Sequence, residues 1–199
     1  MTLDSSGNGH DLTGINAGGY GPYYDFPGAV EKSTVTLSFD PQSGTVFSGT
    51  AIDTESANWG EHCYTNATGD GNLISNGDGN SGGFTLAIID GFFSGIMNGR
   101  TILQGTIAPD GKWHNIALVN DNGTLMLYVD GALDASSAPG GSSPASGFVT
   151  VGAVFNGNTG RYEGFTDGSV DEVRIFTFAQ GEFFESDLEN YVGAKPASR

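Results

Sequence analysis

The chain has 199 residues, 33 of them glycine, and its 23 acidic residues against seven lysines and arginines give a formal charge of -16. Binding to nucleic acid or to an anionic membrane surface requires clustered cations, so this charge disfavours both classes of partner. No apolar run is long enough for membrane insertion, and the length fits one all-β domain that spans residues 1–199.

The first part of the chain alternates between turn-rich and strand-like segments. Residues 3–14 are turn-rich, residues 29–39 predict a clear strand, and residues 45–52 predict a weaker one. Residues 58–83 show no regular alternation, so we interpret them as a long irregular loop. Such a loop inside a compact domain is uncommon and is often functional.

Three apolar segments follow that loop, with glycine-containing turns between them. We predict strands at residues 84–89, 92–97 and 100–107. Asp90-Gly91 and Asn98-Gly99 join them, and both dipeptides are strong hairpin signals. The segments therefore predict an antiparallel meander.

Residues 111–133 carry the strongest local signal in the chain. Ile116 and Leu118 alternate with other positions, as in a half-buried strand, and a second alternating run ends at Asp130-Gly131. Asn122-Gly123 provides the turn between the two runs because both residues tolerate positive φ. This stretch predicts two consecutive hairpins.

The last part of the chain completes the all-β pattern. Residues 136–147 read as a loop rich in Pro, Gly and Ser, 148–155 as a strand, and 156–167 as a polar loop. Residues 168–178 predict the last long strand, and residues 183–192 predict a short closing helix or turn. Short strands at this spacing, without a long helical period, predict an antiparallel β-sandwich.

Three segments, in an order typical of the family, resemble laminin-G-like, concanavalin A-type jelly rolls: LDSSGNGHDLTG, KWHNIALV…LMLYVDGAL and GSVDEVRIFTFAQGEFFESDLENYV. The resemblance implies an antiparallel jelly roll of two packed sheets. Such domains usually bind ligands and rarely catalyse reactions, so it also implies a recognition or adhesion module. The sequence departs from the family pattern at residues 58–83, which replace a short loop.

The resemblance further implies a calcium ion at the rim of the sandwich. Asp4, Asn8 and Asp11 lie in a glycine-rich segment and supply the hard oxygen ligands that calcium prefers. By resemblance, Asp171 of the VDEV segment would lie nearby. The alternative is that Asp4 and Asn8 only cap turns by accepting backbone hydrogen bonds. The segment TGDGNLISNGDGN is also rich in oxygen ligands but lacks the spacing and terminal Glu of an EF-hand.

Aromatic and polar residues in the predicted loops indicate where a glycan would bind. Lectins with this architecture place an aromatic ring against the apolar face of a sugar, and polar groups fix its hydroxyls. The candidate ligand-binding residues are Trp59, His62, Tyr64, Arg161 and Tyr162. The alternative is that these aromatic side chains cover the ends of the core or a subunit interface.

The sequence contains no pattern typical of an enzyme. Cys63 is the single cysteine, and the adjacent His62 would point to the other face of a strand. Related glucanases carry an ExDxxE pattern, whereas Glu55 and Glu61 are six positions apart and Glu163 is isolated. We therefore expect no catalytic residues.

Two functions remain open. The first is non-catalytic binding of a glycan or another cell-surface ligand through rim loops, with calcium ordering those loops. The second is a structural or assembly role, as in a phage virion decoration, knob or fibre protein, or a filament subunit that contacts copies of itself. The domain type implies an extracellular location, and because no signal peptide is recognisable at residue 1, a virion-surface location, which needs none, is the alternative.

Overall fold

The computed structural model of the chain describes residues 13–15, 37–52, 58–78, 82–137, 147–185 and 188. Within these residues there are 15 strands. In chain order they are β1 (Thr13–Ile15), β2 (Leu37–Phe39), β3 (Val46–Thr50), β4 (Trp59–Thr65), β5 (Gly71–Asn76), β6 (Phe84–Ile89), β7 (Phe92–Met97), β8 (Arg100–Gln104), β9 (His114–Asp121), β10 (Thr124–Val129), β11 (Ala132–Ser137), β12 (Phe148–Val151), β13 (Val154–Asn156), β14 (Arg161–Glu163) and β15 (Gly168–Thr177).

The strands form two large antiparallel sheets and one small hairpin. The seven-stranded sheet has the order β1-β3-β12-β5-β6-β7-β8, and the six-stranded sheet has the order β11-β10-β9-β4-β15-β2. β13 and β14 pair with each other as a two-stranded ribbon. Neighbours in the sheets are often distant in sequence, since β4 lies between β9 and β15, and β12 lies between β3 and β5. The two large sheets, whose strand pairs are antiparallel, confirm the predicted antiparallel sandwich.

The predicted hairpin turns are confirmed. Asn122 and Gly123 have φ of 51° and 85° and join β9 to β10, where Thr124 pairs with Asp121. Asp130 has φ of 53° and turns the chain into β11. A turn with two consecutive residues at positive φ has a backbone twist that matches the right-handed twist of the strands it joins. Asn-Gly and Asp-Gly specify such turns because these residues tolerate positive φ.

The main core fills the space between the two large sheets. Trp59 of the six-stranded sheet stacks on Phe84 of the seven-stranded sheet, with ring centroids 3.6 Å apart and an interplanar angle of 10°. Ile116 and Leu118 of β9 and Phe47 of β3 belong to the same buried cluster. Alternate residues of each strand therefore point between the sheets, as period-two alternation requires.

A second apolar cluster lies on the outer face of the six-stranded sheet. Val119 and Tyr128, on β9 and β10, are buried there with Leu188. Phe178 and Phe183, which follow β15, pack against them. The segment after β15 thus returns over the sheet. Glu185 and Leu188 have helical backbone, in agreement with the predicted short closing element.

Three segment predictions were wrong. Residues 58–83, predicted as an irregular loop, contain β4 and β5, and residues 156–167, predicted as a polar loop, contain β14. Residues 148–155, predicted as one strand, form β12 and β13, separated by Gly152 at φ of 90°. The first error arises because β4 and β5 are buried on both faces, so their polar residues hide the apolar alternation, whereas β14 has only three residues, two of them exposed.

Candidate functional site

The β13–β14 hairpin is ordered by its own side chains. Asn156 Oδ1 accepts hydrogen bonds from the backbone N–H groups of Asn158 (3.0 Å) and Thr159 (3.2 Å). These bonds form an Asx-type turn at the tip, and Gly160 completes the turn at φ of 67°. The local sequence therefore specifies a tight, exposed turn.

One face of the hairpin is aromatic and lies against the seven-stranded sheet. Phe155 and Tyr162 are cross-strand partners with ring centroids 5.4 Å apart, and the ring of Phe148 lies 4.8 Å from that of Phe155. Tyr162 Oη donates a hydrogen bond to Ser48 Oγ on β3 (3.1 Å). Phe148, Phe155 and Tyr162 form what we call the aromatic row, and Phe148 is 38% exposed.

The other face of the hairpin is polar and points to solvent. Asn156 pairs with Arg161 and Val154 with Glu163, so alternation places Asn156, Arg161 and Glu163 on one side. Asn156 Nδ2 donates to Glu163 Oε2 (2.9 Å), and Thr159 Oγ1 donates to Glu163 Oε1 (2.8 Å). These two hydrogen bonds lower the pKa of Glu163, and the nearby charge of Arg161 acts in the same direction.

The hairpin is attached to the sheet at its base. The backbone N–H of Asn72 donates to the carbonyl of Gly164 (2.8 Å), and that of Thr166 donates to the carbonyl of Gly152 (2.8 Å). Thr166 Oγ1 also donates to the carbonyl of Asn72 (2.8 Å). The aromatic row and the polar face are consequently held at a fixed position on the outer side of β12 and β3.

Trp59 requires a correction. We predicted it as a loop residue that binds ligand, but it is the first residue of β4 and is 0% exposed. Phe84 covers its ring from the opposite sheet. A ligand has no access to this ring, so Trp59 belongs to the core.

His62 and Tyr64 lie on β4 as well, and not in a loop, on the outer face of the six-stranded sheet. Tyr64 Oη accepts a hydrogen bond from Asn115 Nδ2 (3.3 Å), and the rings of His62 and Tyr64 meet edge to face at 5.5 Å. Burial, followed by the nearby charge of Arg174, lowers the pKa of His62 to about 4, so its imidazole is neutral at physiological pH. Arg161 and Tyr162 lie beyond the opposite sheet, so the five predicted residues do not form one site.

Glu61 lies between Trp59 and Cys63 on the face of β4 that points into the core. It is 0% exposed, and within the described part of the chain neither carboxyl oxygen has a hydrogen-bond partner. Asn120, the cross-strand partner of Trp59, is also buried with an amide that has no partner there. Burial raises the pKa of Glu61 well above its ordinary value, so the folded protein keeps this group protonated at pH values where an exposed glutamate is ionised.

Of the four predicted calcium ligands, one lies among the residues that the structure describes. Asp4, Asn8 and Asp11 lie outside the described residues. Asp171 is buried on β15, and its Oδ1 accepts a hydrogen bond from the backbone N–H of Glu172 (2.7 Å). Among the residues that the structure describes, no three His, Cys, Asp or Glu side chains are grouped to hold a metal ion. The calcium site therefore stays a prediction.

The second oxygen-rich segment has structural roles. Both carboxylate oxygens of Asp70 accept backbone hydrogen bonds, from Asp90 (3.1 Å) and Gly91 (2.9 Å), and thereby fix the turn between β6 and β7. Asp78 lies against the hairpin tip, because a Cβ on Gly157 would come within 2.3 Å of Asp78 Oδ2. Asp70 and Asp78 thus contact different parts of the chain, the β6–β7 turn and the tip of the β13–β14 hairpin.

Two residues of the candidate surface were missed by sequence reasoning. Phe148 and Phe155 were assigned to a single strand and not to a ligand-binding surface, yet both reach the aromatic row. The signal that could have separated them from the core is the Gly152-Ala153 pair in the middle of the segment, because glycine inside a strand pattern indicates a bulge or a bend.

The comparisons with known proteins agree with this architecture. A laminin-G family model, described as "Concanavalin A-like lectin/glucanases superfamily", matches residues 34–181. The chain belongs to this superfamily. No curated protein matches the chain.

Several solved structures of low identity have the same fold. Domain 4 of an extracellular arabinanase from Geobacillus stearothermophilus, in complex with arabinotriose, is 19% identical with a TM-score of 0.60, over 94% of this chain and 90% of that one. CBM40 of a Ruminococcus gnavus sialidase, bound to α2,3-sialyllactose, is 14% identical with a TM-score of 0.58, over 81% and 97%. A pentraxin from Limulus polyphemus is 14% identical with a TM-score of 0.53, over 70% of each chain.

One further observation concerns membranes. The part of the chain that the structure describes contains no helix with the length and apolar character needed to span a bilayer.

Proposed function

We propose that this superfamily member is a non-catalytic, extracellular recognition module that binds a glycan. The ligand would contact the exposed edge of the aromatic row and the polar face of the β13–β14 hairpin. The observation that carries the proposal is that one short hairpin carries a partly exposed aromatic row on one face and a fixed set of polar groups on the other. Sugar recognition uses this combination, because rings pack against C–H groups while polar groups orient hydroxyls.

Further support comes from the protein's own residues and from its structural relatives. Of the predicted ligand-binding residues, Arg161 and Tyr162 lie at this surface, and Phe148 adds an aromatic side chain with 38% exposure. The arabinanase domain and the sialidase CBM40 were both solved with bound oligosaccharides. Glu61, one of the two glutamates considered above as a catalytic pair, is enclosed in the core at 0% exposure, where a substrate cannot reach it.

The test is a glycan array followed by titration calorimetry on the hits. We expect Phe148→Ala to weaken binding about tenfold, since a well-placed aromatic contact contributes roughly 1–1.5 kcal/mol. Phe92→Ala is the matched control, because Phe92 is 37% exposed at the start of β7, outside this surface. Equal affinity losses in the two variants, or an array without hits, would contradict the proposal.

Calcium is a second part of the proposal, with Asp4, Asn8, Asp11 and Asp171 as the ligands. Its support is the family resemblance and the buried carboxylate of Asp171 on β15. A ligand that binds only the native state raises the melting temperature, so we expect higher thermal stability in calcium than in EDTA. Asp171→Asn should reduce that difference, and identical melting curves in the two buffers would refute calcium binding.

Self-assembly is the alternative function, and one observation favours it. β11 is an edge strand of the six-stranded sheet, and its Leu133 is 49% exposed. Exposed edges with apolar side chains are templates for pairing with another chain. A stable oligomer in light scattering that Leu133→Lys dissociates, together with an array without hits, would favour assembly over glycan recognition.

A further inference from the structure

We infer that the glycan bound at the β13–β14 hairpin is uncharged, and that neighbouring hydroxyls of one sugar donate hydrogen bonds to Glu163 while Arg161 donates to its oxygens. This inference rests on the proposed function and specifies the ligand class of the same surface. It follows from how the carboxylate of Glu163 is held and from the charges around it.

Glu163 is a preorganised hydrogen-bond acceptor. Each of its carboxylate oxygens already accepts one hydrogen bond, from Asn156 Nδ2 and from Thr159 Oγ1. A carboxylate has about four acceptor positions, so about two stay available for a ligand. Its lowered pKa keeps it ionised, and hydroxyl groups of a neutral sugar are suitable donors to it. Because the side chain of Glu163 is already held in place, it loses little conformational entropy when a ligand binds.

Arg161 supplies the complementary donor on the same face. It pairs across the hairpin with Asn156, next to Glu163, and its side chain is exposed. A guanidinium carries five N–H donors and no acceptor, so it suits ring and hydroxyl oxygens. Together, Arg161 and Glu163 match the mixed donor and acceptor character of sugar hydroxyls.

The surrounding charge disfavours an anionic sugar. Asp78 rests against Gly157 at the hairpin tip, so a second carboxylate lies at the same hairpin that carries Glu163. The whole chain adds a formal charge of -16. A carboxylated or sulfated glycan would meet repulsion from Glu163, Asp78 and the chain, and like-charge placement is an effective means of excluding ligands.

The experiment compares matched glycans on the whole protein. An array of neutral oligosaccharides identifies hits, and each hit is then measured beside its sialylated and sulfated derivatives. We expect the anionic derivatives to bind at least about tenfold more weakly at low salt, and this gap to narrow as salt screens the repulsion. Affinity for the neutral glycan should change by less than about twofold over the same salt range.

Two variants separate a local effect from the overall charge. Glu163→Gln keeps the shape of the side chain but removes its charge, so we expect about tenfold weaker binding of the neutral glycan and a smaller penalty for the anionic one. Glu182→Gln removes the same charge from an exposed residue after β15 and should change neither.

The outcomes distinguish the two proposals. Equal or tighter binding of the anionic derivatives would overturn this inference and leave the proposed function standing. Indistinguishable behaviour of the Glu163→Gln and Glu182→Gln proteins would also overturn it. An array without any hit would overturn the proposed function, and the inference with it.

Discussion

Glu61 provides the sharpest test of the folded core, through the pH dependence of stability. Its carboxyl is buried without a partner among the described residues, and burial raises its pKa well above the ordinary value of 4.5. The folded state therefore keeps the proton at pH values where the unfolded state has lost it. Stability from this group is complete below pH 4.5 and is lost as pH rises toward the folded-state pKa.

The magnitude follows from proton linkage. While only the unfolded state has released the proton, the free energy of unfolding falls by about 1.4 kcal/mol per pH unit. For a chain of this length, that corresponds to a fall of about 3–5 °C in melting temperature per pH unit. The fall ends once the pH exceeds the folded-state pKa of Glu61.

Two neighbouring groups define the useful pH window. His62 has its pKa lowered to about 4 from an ordinary 6.5, so it reduces stability only as pH falls from about 6.5 toward 4. Burial raises the pKa of Cys63 above its ordinary 9.0, so Cys63 contributes only near and above pH 9. Between about pH 6.5 and 9, neither His62 nor Cys63 changes its protonation, so any slope that these three groups contribute there comes from Glu61.

The assay is urea denaturation of the wild type and of Glu61→Gln at several pH values from the ordinary 4.5 up to about 9. The glutamine keeps the size and burial of the side chain but has no proton to lose, and slopes from exposed groups cancel in the difference between the two proteins. We expect the wild type to lose stability with rising pH relative to the variant. Parallel profiles would refute the assignment of Glu61 as a buried neutral acid.

The remaining predictions concern packing. Gly152→Ala should destabilise the protein by about 2–4 kcal/mol in the same assay, because its φ is 90° and a Cβ would lie 2.0 Å from the ring of Phe39. Gly91→Ala is the control, since φ is 77° there and a Cβ meets nothing within 4 Å, so a smaller loss is expected. Cys63 should react with a thiol reagent only on unfolding, because it is fully buried; rapid labelling of the native protein would contradict its place in the core.

Local signals in the sequence predicted the hairpins well. The Asn122-Gly123 and Asp130-Gly131 turns set the register of β9, β10 and β11, because a two-residue turn at positive φ leaves few pairings open. The apolar runs at residues 84–89 and 92–97, with the Asp90-Gly91 turn between them, likewise led directly to β6 and β7. These elements depend on contacts between residues that are close along the chain.

The candidate site was harder to predict, because burial depends on what packs against a strand. Alternation does place Trp59, Glu61 and Cys63 on one face of β4, with His62 and Tyr64 on the other. It does not say which face meets the second sheet, and a glutamate between two core residues conceals the pattern. The position of Tyr162 at the surface was easier to predict, because this residue lies in a short polar segment whose turn residues can be recognised in the sequence.

The sequence by itself determined an all-β chain, its main hairpins and its family, because turn chemistry and period-two alternation are local properties. Only the tertiary structure decided that β4 lies between β9 and β15, and that β12 lies between β3 and β5. Those pairings join strands far apart in sequence, so no local pattern specifies them. They bury Trp59, separate Tyr64 from Tyr162, and bring Phe148 to the aromatic row.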